Sequence, residues 1–110
     1  MRLVMAAALT AMVLVPAIAR ADDPKVEKGK QVYAAQKCSM CHSIAGKGNA
    51  KGSLDGVGSK LTAAEIKEWL VDPVAMAAKT KAVRKPPMKA KPMPAADVDA
   101  LVAYLQTLKK

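Results

Sequence analysis

The sequence predicts an all-α domain. Apolar residues recur at helical spacing in three separate segments, alternating strand patterns are absent, and no internal repeat or linker divides the chain. We therefore expect one small domain over residues 22–110. A chain of this length buries only a modest core, and its aromatic residues are limited to Tyr33, Trp69 and Tyr104. A large apolar cofactor would compensate for that shortage.

Residues 1–21 have the pattern of a secretory signal peptide. Arg2 precedes an apolar stretch, which ends in the small-x-small pattern of Ala19 to Ala21. We expect cleavage there, export to the periplasm and no stable membrane anchor. A retained anchor is the alternative, because the apolar stretch approaches the roughly 20 residues that span a bilayer.

The first predicted helix leads up to Cys38. Its residues at helical spacing are Val26, Gly29, Val32, Tyr33 and Gln36. Five of the six glycines then fall between Gly46 and Gly58 without sustained periodicity, which predicts a loop.

The second predicted helix begins after Thr62. Thr62 stands three residues before Glu65, which is the spacing of a capping box. An apolar stripe follows and ends at Asp72-Pro73; it consists of Leu61, Ile66, Trp69 and Leu70. The sequence thus predicts a helix that stops at the first of a series of prolines.

The last predicted helix starts at Pro94. Five prolines lie between Pro73 and Pro94, and proline disrupts helix interiors, so we expect no packed helix across Pro86 to Pro94. Pro94 itself suits a first helical position. The apolar stripe of this helix is Val98, Leu101, Val102, Leu105 and Leu108.

The motif that indicates a function is Cys38-Ser39-Met40-Cys41-His42. Two cysteines three residues apart on a turn can each add through sulfur to one vinyl group of a haem, and the adjacent histidine then faces the iron. C-x-x-C-H is the signature of this attachment. We therefore predict one covalent haem c with its iron, held by Cys38 and Cys41 as thioethers and by His42 as an axial ligand.

Three other chemistries use the same residues. A zinc site would need a fourth ligand, and the chain has no further cysteine or histidine. A thioredoxin-like pair should sit beside a βαβ pattern, which is absent. A disulfide would leave His42 and the small core unexplained. Haem attachment is the prediction that accounts for all three residues.

The second axial position decides the function. A methionine thioether there would block the open site and raise the reduction potential. His42 is the only histidine, so the sulfur must come from Met40, Met76, Met88 or Met93. Met40 lies inside the turn formed by residues 38–42, which we call the attachment turn, and it cannot reach the opposite face of the haem. The other three remain open on this reasoning.

The segment after the signal peptide resembles the class I c-type cytochromes of the short bacterial monohaem type. The C-S-M-C-H motif is one element of this resemblance. In the family, the first and last helices cross at a pair of residues on each helix. Gly29 with Tyr33 matches the pair on the first helix, and Leu101 with Tyr104 matches the pair on the last. Residues 54–62 are similar to the loop that leads into the middle helix. The resemblance implies a small cytochrome c fold, with three to five helices wrapped around one covalently bound haem.

The resemblance also implies a ligand. In short members of the family, the ligand methionine precedes the aromatic of the last helix by about sixteen residues. Met88 lies 16 residues before Tyr104, whereas Met93 lies 11 before it. Met88 is therefore the expected axial ligand opposite His42. The family's loop proline, whose carbonyl accepts the outer N–H of the histidine, aligns best with Ser53.

A six-coordinate His/Met haem implies a one-electron carrier rather than an enzyme. The alternative is a five-coordinate haem protein that binds a small gas or serves as a haem enzyme subunit.

Residues 22–110 keep 16 of the 18 basic residues and all nine acidic ones, giving a formal charge of +7. We expect a monomer that docks acidic redox proteins at a basic surface around Met88, with no nucleic-acid partner. That surface comprises Lys79, Lys81, Arg84, Lys85, Lys89 and Lys91.

Overall fold

Five α-helices form most of the regular structure in residues 23–110, the part of the chain that the computed structural model describes. The predicted signal peptide lies outside these residues. The helices are α1 (Pro24–Ala35), α2 (Val57–Lys60), α3 (Ala63–Val71), α4 (Pro73–Thr80) and α5 (Ala95–Gln106). Two short strands, β1 (Ser43–Ile44) and β2 (Lys47–Gly48), pair antiparallel. The predicted all-α class is confirmed.

Two of the three predicted helices begin at capping side chains. Asp23 Oδ1 accepts a hydrogen bond from Lys25 N at 2.8 Å at the start of α1. At the start of α3, Thr62 N donates to Glu65 Oε1 at 3.0 Å and Glu65 N donates to Thr62 Oγ1 at 3.2 Å. This reciprocal pair is the predicted capping box, and it satisfies two amides that the helix itself leaves unpaired.

Helix α4 was not predicted. The sequence pattern placed a helix end at Asp72, and Asp72 is indeed the last residue before a break. The same side chain also accepts from Ala75 N at 3.2 Å, so it caps a second helix that has Pro73 in its first turn. An N-capping aspartate followed by proline is a helix-start signal, and it could have revealed α4.

Helices α1 and α5 cross at the pair of positions that the family resemblance implied. A Cβ on Gly29 would overlap the Ala100 carbonyl oxygen and lie 2.6 Å from Tyr104 Cβ. Only a residue without a side chain allows this approach. The Tyr33 and Tyr104 rings meet edge to face beside it, with centroids 6.1 Å apart. The attachment turn follows directly from α1, so this crossing fixes its position.

The hydrophobic core lies between α1, α3 and α5. Its buried cluster consists of Val32, Ile66, Val98, Leu101, Val102 and Leu105, and Met93 is among the partly buried residues packed against it. Trp69 is partly exposed and lies outside this cluster. Within the described residues, no helix is long and apolar enough to cross a membrane.

The proline-rich stretch between α4 and α5 contains no helix, as predicted. We refer to residues 81–94 as the Met88 segment. It begins at Lys81, which ends α4 in a left-handed conformation, and it ends at Pro94. Pro94 is the residue before α5 rather than its first residue.

Candidate functional site

Cys38, Cys41 and His42 lie on one tight turn. Lys37 leaves α1 in a left-handed conformation, with φ of 55°, and a 3-10 turn follows over Cys38–Met40. Cys41 N and His42 N both donate to the Cys38 carbonyl, at 3.1 and 2.9 Å. The turn therefore holds both thiols and the imidazole in a fixed relation. Cys38 is half-buried, Cys41 is exposed, and neither forms a disulfide.

His42 is anchored by the carbonyl of Gly52. Its Nδ1 lies 3.0 Å from Gly52 O, which makes Nδ1 the donor nitrogen and leaves Nε2 free as a ligand atom. The expectation that Ser53 supplies this carbonyl is wrong by one residue. Gly52 ends a 3-10 turn, whereas Ser53 bridges to Ser43 instead. Such an outer bond fixes the tautomer and keeps the imidazole basic.

Asn49 ties the attachment turn to the following loop. Its backbone N lies 3.1 Å from Ser39 O and 3.0 Å from His42 O. Its side-chain Nδ2 donates to Met40 O at 3.2 Å. Asn49 therefore binds three carbonyls of the C-S-M-C-H turn. Asn49 was not predicted as a site residue, because an asparagine in a glycine-rich loop is also an ordinary turn residue.

Burial shifts the pKa values of three side chains at the site, those of His42, Cys38 and Tyr33. It lowers the pKa of His42, an effect that the Gly52 carbonyl opposes and the Arg84 guanidinium increases. Burial also raises the pKa of the Cys38 thiol, and Lys91 opposes that change. The pKa of the Tyr33 hydroxyl rises to about 12, mainly through burial and further through Cys38 and Tyr104.

The donor set fits a covalent haem. Both cysteines are free to form thioethers on one turn, and His42 presents its unbound Nε2. Tyr33 Oη, near Cys38, is a buried hydroxyl with no hydrogen-bond partner among the described residues. The same residues do not assemble a metal cage, since residues 23–110 contain no group of three or more His, Cys, Asp or Glu placed to hold a metal ion.

The candidate methionines differ in their surroundings. Met40 lies on the attachment turn and is 70% exposed, and Met76 is buried in α4 at 4% exposure. Met93 packs against the hydrophobic core. Met88 is half-buried on the Met88 segment and has no place in the core cluster. The structure thus brings three of the four predicted site residues onto one turn and leaves Met88 on a separate segment.

Two basic residues connect the Met88 segment to the attachment turn. Arg84 Nη1 and the Cys41 carbonyl oxygen both occupy the space where a Gly52 side chain would begin. Lys91 Nζ donates to the carbonyl of Gln36, directly after α1. One contact therefore lies next to the His42 anchor, and the other lies two residues before Cys38.

The comparisons with known proteins identify one family. The family model described as Cytochrome c matches residues 26–109. No curated protein and no solved structure matches the chain closely enough to count as similar.

Proposed function

The chain belongs to the cytochrome c family, whose members bind haem c covalently and typically transfer electrons, and we propose that it is an exported one-electron carrier with His42 and Met88 as axial ligands. The haem iron, when bound, accepts or releases one electron by changing between its ferric and ferrous states. Cys38 and Cys41 would form the two thioethers. The remaining work of the chain is to hold both ligands and present the haem to partners.

The hydrogen bond from His42 to Gly52 carries the proposal. It commits Nδ1 and leaves Nε2 as the nitrogen available to iron. A fixed imidazole moves little when the charge on the metal changes, so little reorganisation opposes electron transfer. Asn49 stabilises the same turn through its three carbonyl contacts.

The surroundings of the methionines support Met88 as the second ligand. Met93 packs against the core, and its departure would leave a cavity there. Met76 is enclosed in α4. Met88 is not among the residues packed against the core, so moving its thioether to the iron would leave no cavity there. A thioether in that position closes the iron to gases and raises the reduction potential.

Substitution separates Met88 from Met93. Met88→Ala should abolish the weak near-red absorption of methionine bound to ferric iron, lower the reduction potential and allow rapid carbon monoxide binding by the ferrous protein. Met93→Ala should keep the band and instead destabilise the fold by about 1–2 kcal/mol, as a partly buried methionine. Wild-type protein without the band, with rapid carbon monoxide binding, would instead support the five-coordinate haem protein.

Export and attachment have one common test. We propose cleavage after Ala21 and a periplasmic location, on the pattern of residues 1–21. Expression with c-type attachment machinery should give a periplasmic protein whose intact mass equals residues 22–110 plus one haem. A haem-free mass would contradict attachment, and a retained N-terminus would contradict cleavage alone.

Docking of acidic redox partners to a monomer completes the proposal. The region 73–96 contains no acidic residue, so its own side chains contribute only positive charge. Lys79, Lys81, Lys85 and Lys89 are exposed. Electron-transfer rates with an acidic partner should fall as salt rises, and Lys89→Gln should weaken that dependence. Electron-transfer rates that do not depend on ionic strength would show that these lysines are exposed to solvent without a role in docking.

A further inference from the structure

Arg84 lies against the anchor of His42. Its Nη1 fills the space above Gly52 that a Cβ would need, beside the Cys41 carbonyl oxygen. It is partly buried, unlike the exposed lysines at 81, 85 and 89. The guanidinium thus packs on the very residue whose carbonyl binds the His42 ring.

Lys91 makes the second contact, at a residue that precedes the attachment turn in the sequence. Its ammonium donates to the Gln36 carbonyl, where the chain leaves α1. A cation at that position also interacts favourably with the negative end of the helix dipole. Lys91 also lines an open cavity of about 210 Å³, together with Leu70, Val71, Pro92 and Met93.

Met88 lies between these two contacts in sequence, four residues after Arg84 and three before Lys91. The Met88 segment has no helical hydrogen bonds of its own to hold it over that stretch. An irregular segment of this length loses considerable conformational entropy when it is fixed. Contacts on both sides of Met88 restrict the sulfur more than contact on one side would.

We propose that Arg84 and Lys91 are positioning residues that fasten the Met88 segment to the haem-attachment turn. The inference rests on the proposed ligation by Met88. It divides the basic surface into two parts: Arg84 and Lys91 hold the ligand segment, and the four remaining lysines face the partner. Charge alone does not distinguish the two sets, because all six are basic residues within thirteen positions of one another.

Competition with imidazole tests this division. Imidazole added to the ferric holoprotein displaces the methionine, and loss of the near-red band reports its apparent association constant. Lys91→Gln should raise that constant several-fold, the factor expected for loss of one solvent-exposed hydrogen bond from a charged donor. Arg84→Gln should raise it several-fold. Lys91→Met, which keeps an unbranched side chain but removes the donor, should behave like Lys91→Gln.

Lys89→Gln is the matched control. It removes the same charge from the residue next to Met88, and its imidazole constant should stay within about twofold of wild type if contact rather than charge is responsible. The salt dependence of electron transfer should show the opposite order, with a larger change for Lys89→Gln than for Arg84→Gln. Equal imidazole constants in all variants would overturn the positioning role.

The outcome also separates this inference from the proposed function. If the near-red band survives Met88→Ala, ligation by Met88 is wrong and the positioning role is overturned with it. If Met88→Ala abolishes the band but the Arg84 and Lys91 variants bind imidazole as wild type does, only the positioning role is overturned.

Discussion

Replacing Gly29 with alanine should force α1 and α5 apart. The added Cβ would overlap the Ala100 carbonyl oxygen and lie 2.6 Å from Tyr104 Cβ. The first obstacle is backbone, so a rotamer change cannot relieve it, and one helix has to move by about 1 Å. Overpacking of this kind costs about 1–3 kcal/mol. Disturbing the edge-to-face contact of Tyr33 with Tyr104 adds about 1 kcal/mol.

Alanine also favours the helical state. At an exposed helix position it would stabilise α1 by about 1 kcal/mol relative to glycine. The net loss in the free energy of unfolding should therefore be about 2 kcal/mol, a large share of the 5–15 kcal/mol that is typical of a domain. In urea the midpoint should fall by roughly 1–2 M.

Urea unfolding followed by far-ultraviolet circular dichroism measures this change. Gly46→Ala is the control, because Gly46 has φ of +79° and nothing within 4 Å of its Cβ position. It should cost about 1–2 kcal/mol through backbone strain alone. It should also leave the haem spectrum unchanged, whereas Gly29→Ala displaces the turn that follows α1. A Gly29→Ala protein as stable as wild type would refute the close-approach reasoning.

Two further predictions concern local hydrogen bonds. The capping box lowers the pKa of Glu65, so the ionised carboxylate stabilises the fold above the ordinary glutamate pKa, and this contribution is lost as pH falls through the lowered value. The difference in urea midpoint between wild type and Glu65→Gln should shrink in acid; a constant difference would contradict it. Asn49→Ala should cost about 1 kcal/mol by removing the solvent-exposed hydrogen bond from its side chain to the Met40 carbonyl. A urea midpoint equal to that of wild type would show that this bond contributes nothing.

The helices were predictable where the signal is local. The periodicity before Cys38, the capping box at Thr62 and the stripe after Pro94 each lie within one element, and the structure has helices at all three places. Helix α4 was not predicted because Asp72 both ends α3 and caps α4, and the pattern at Asp72 was interpreted only as the end of a helix. The α2 turn is only four residues long and lies in a glycine-rich loop, where no periodicity could appear.

By itself, the sequence predicted the attachment site, because Cys38, Cys41 and His42 are neighbours along the chain and need only a turn to come together. Tertiary structure decided which carbonyl anchors His42. Every residue carries a carbonyl, so composition cannot distinguish Gly52 from Ser53, and only the path of the loop does. The tertiary structure also places Arg84 and Lys91, two of six similar basic residues, in contact with residues beside the attachment turn. Those contacts join residues more than thirty positions apart, and no local pattern encodes such a distance.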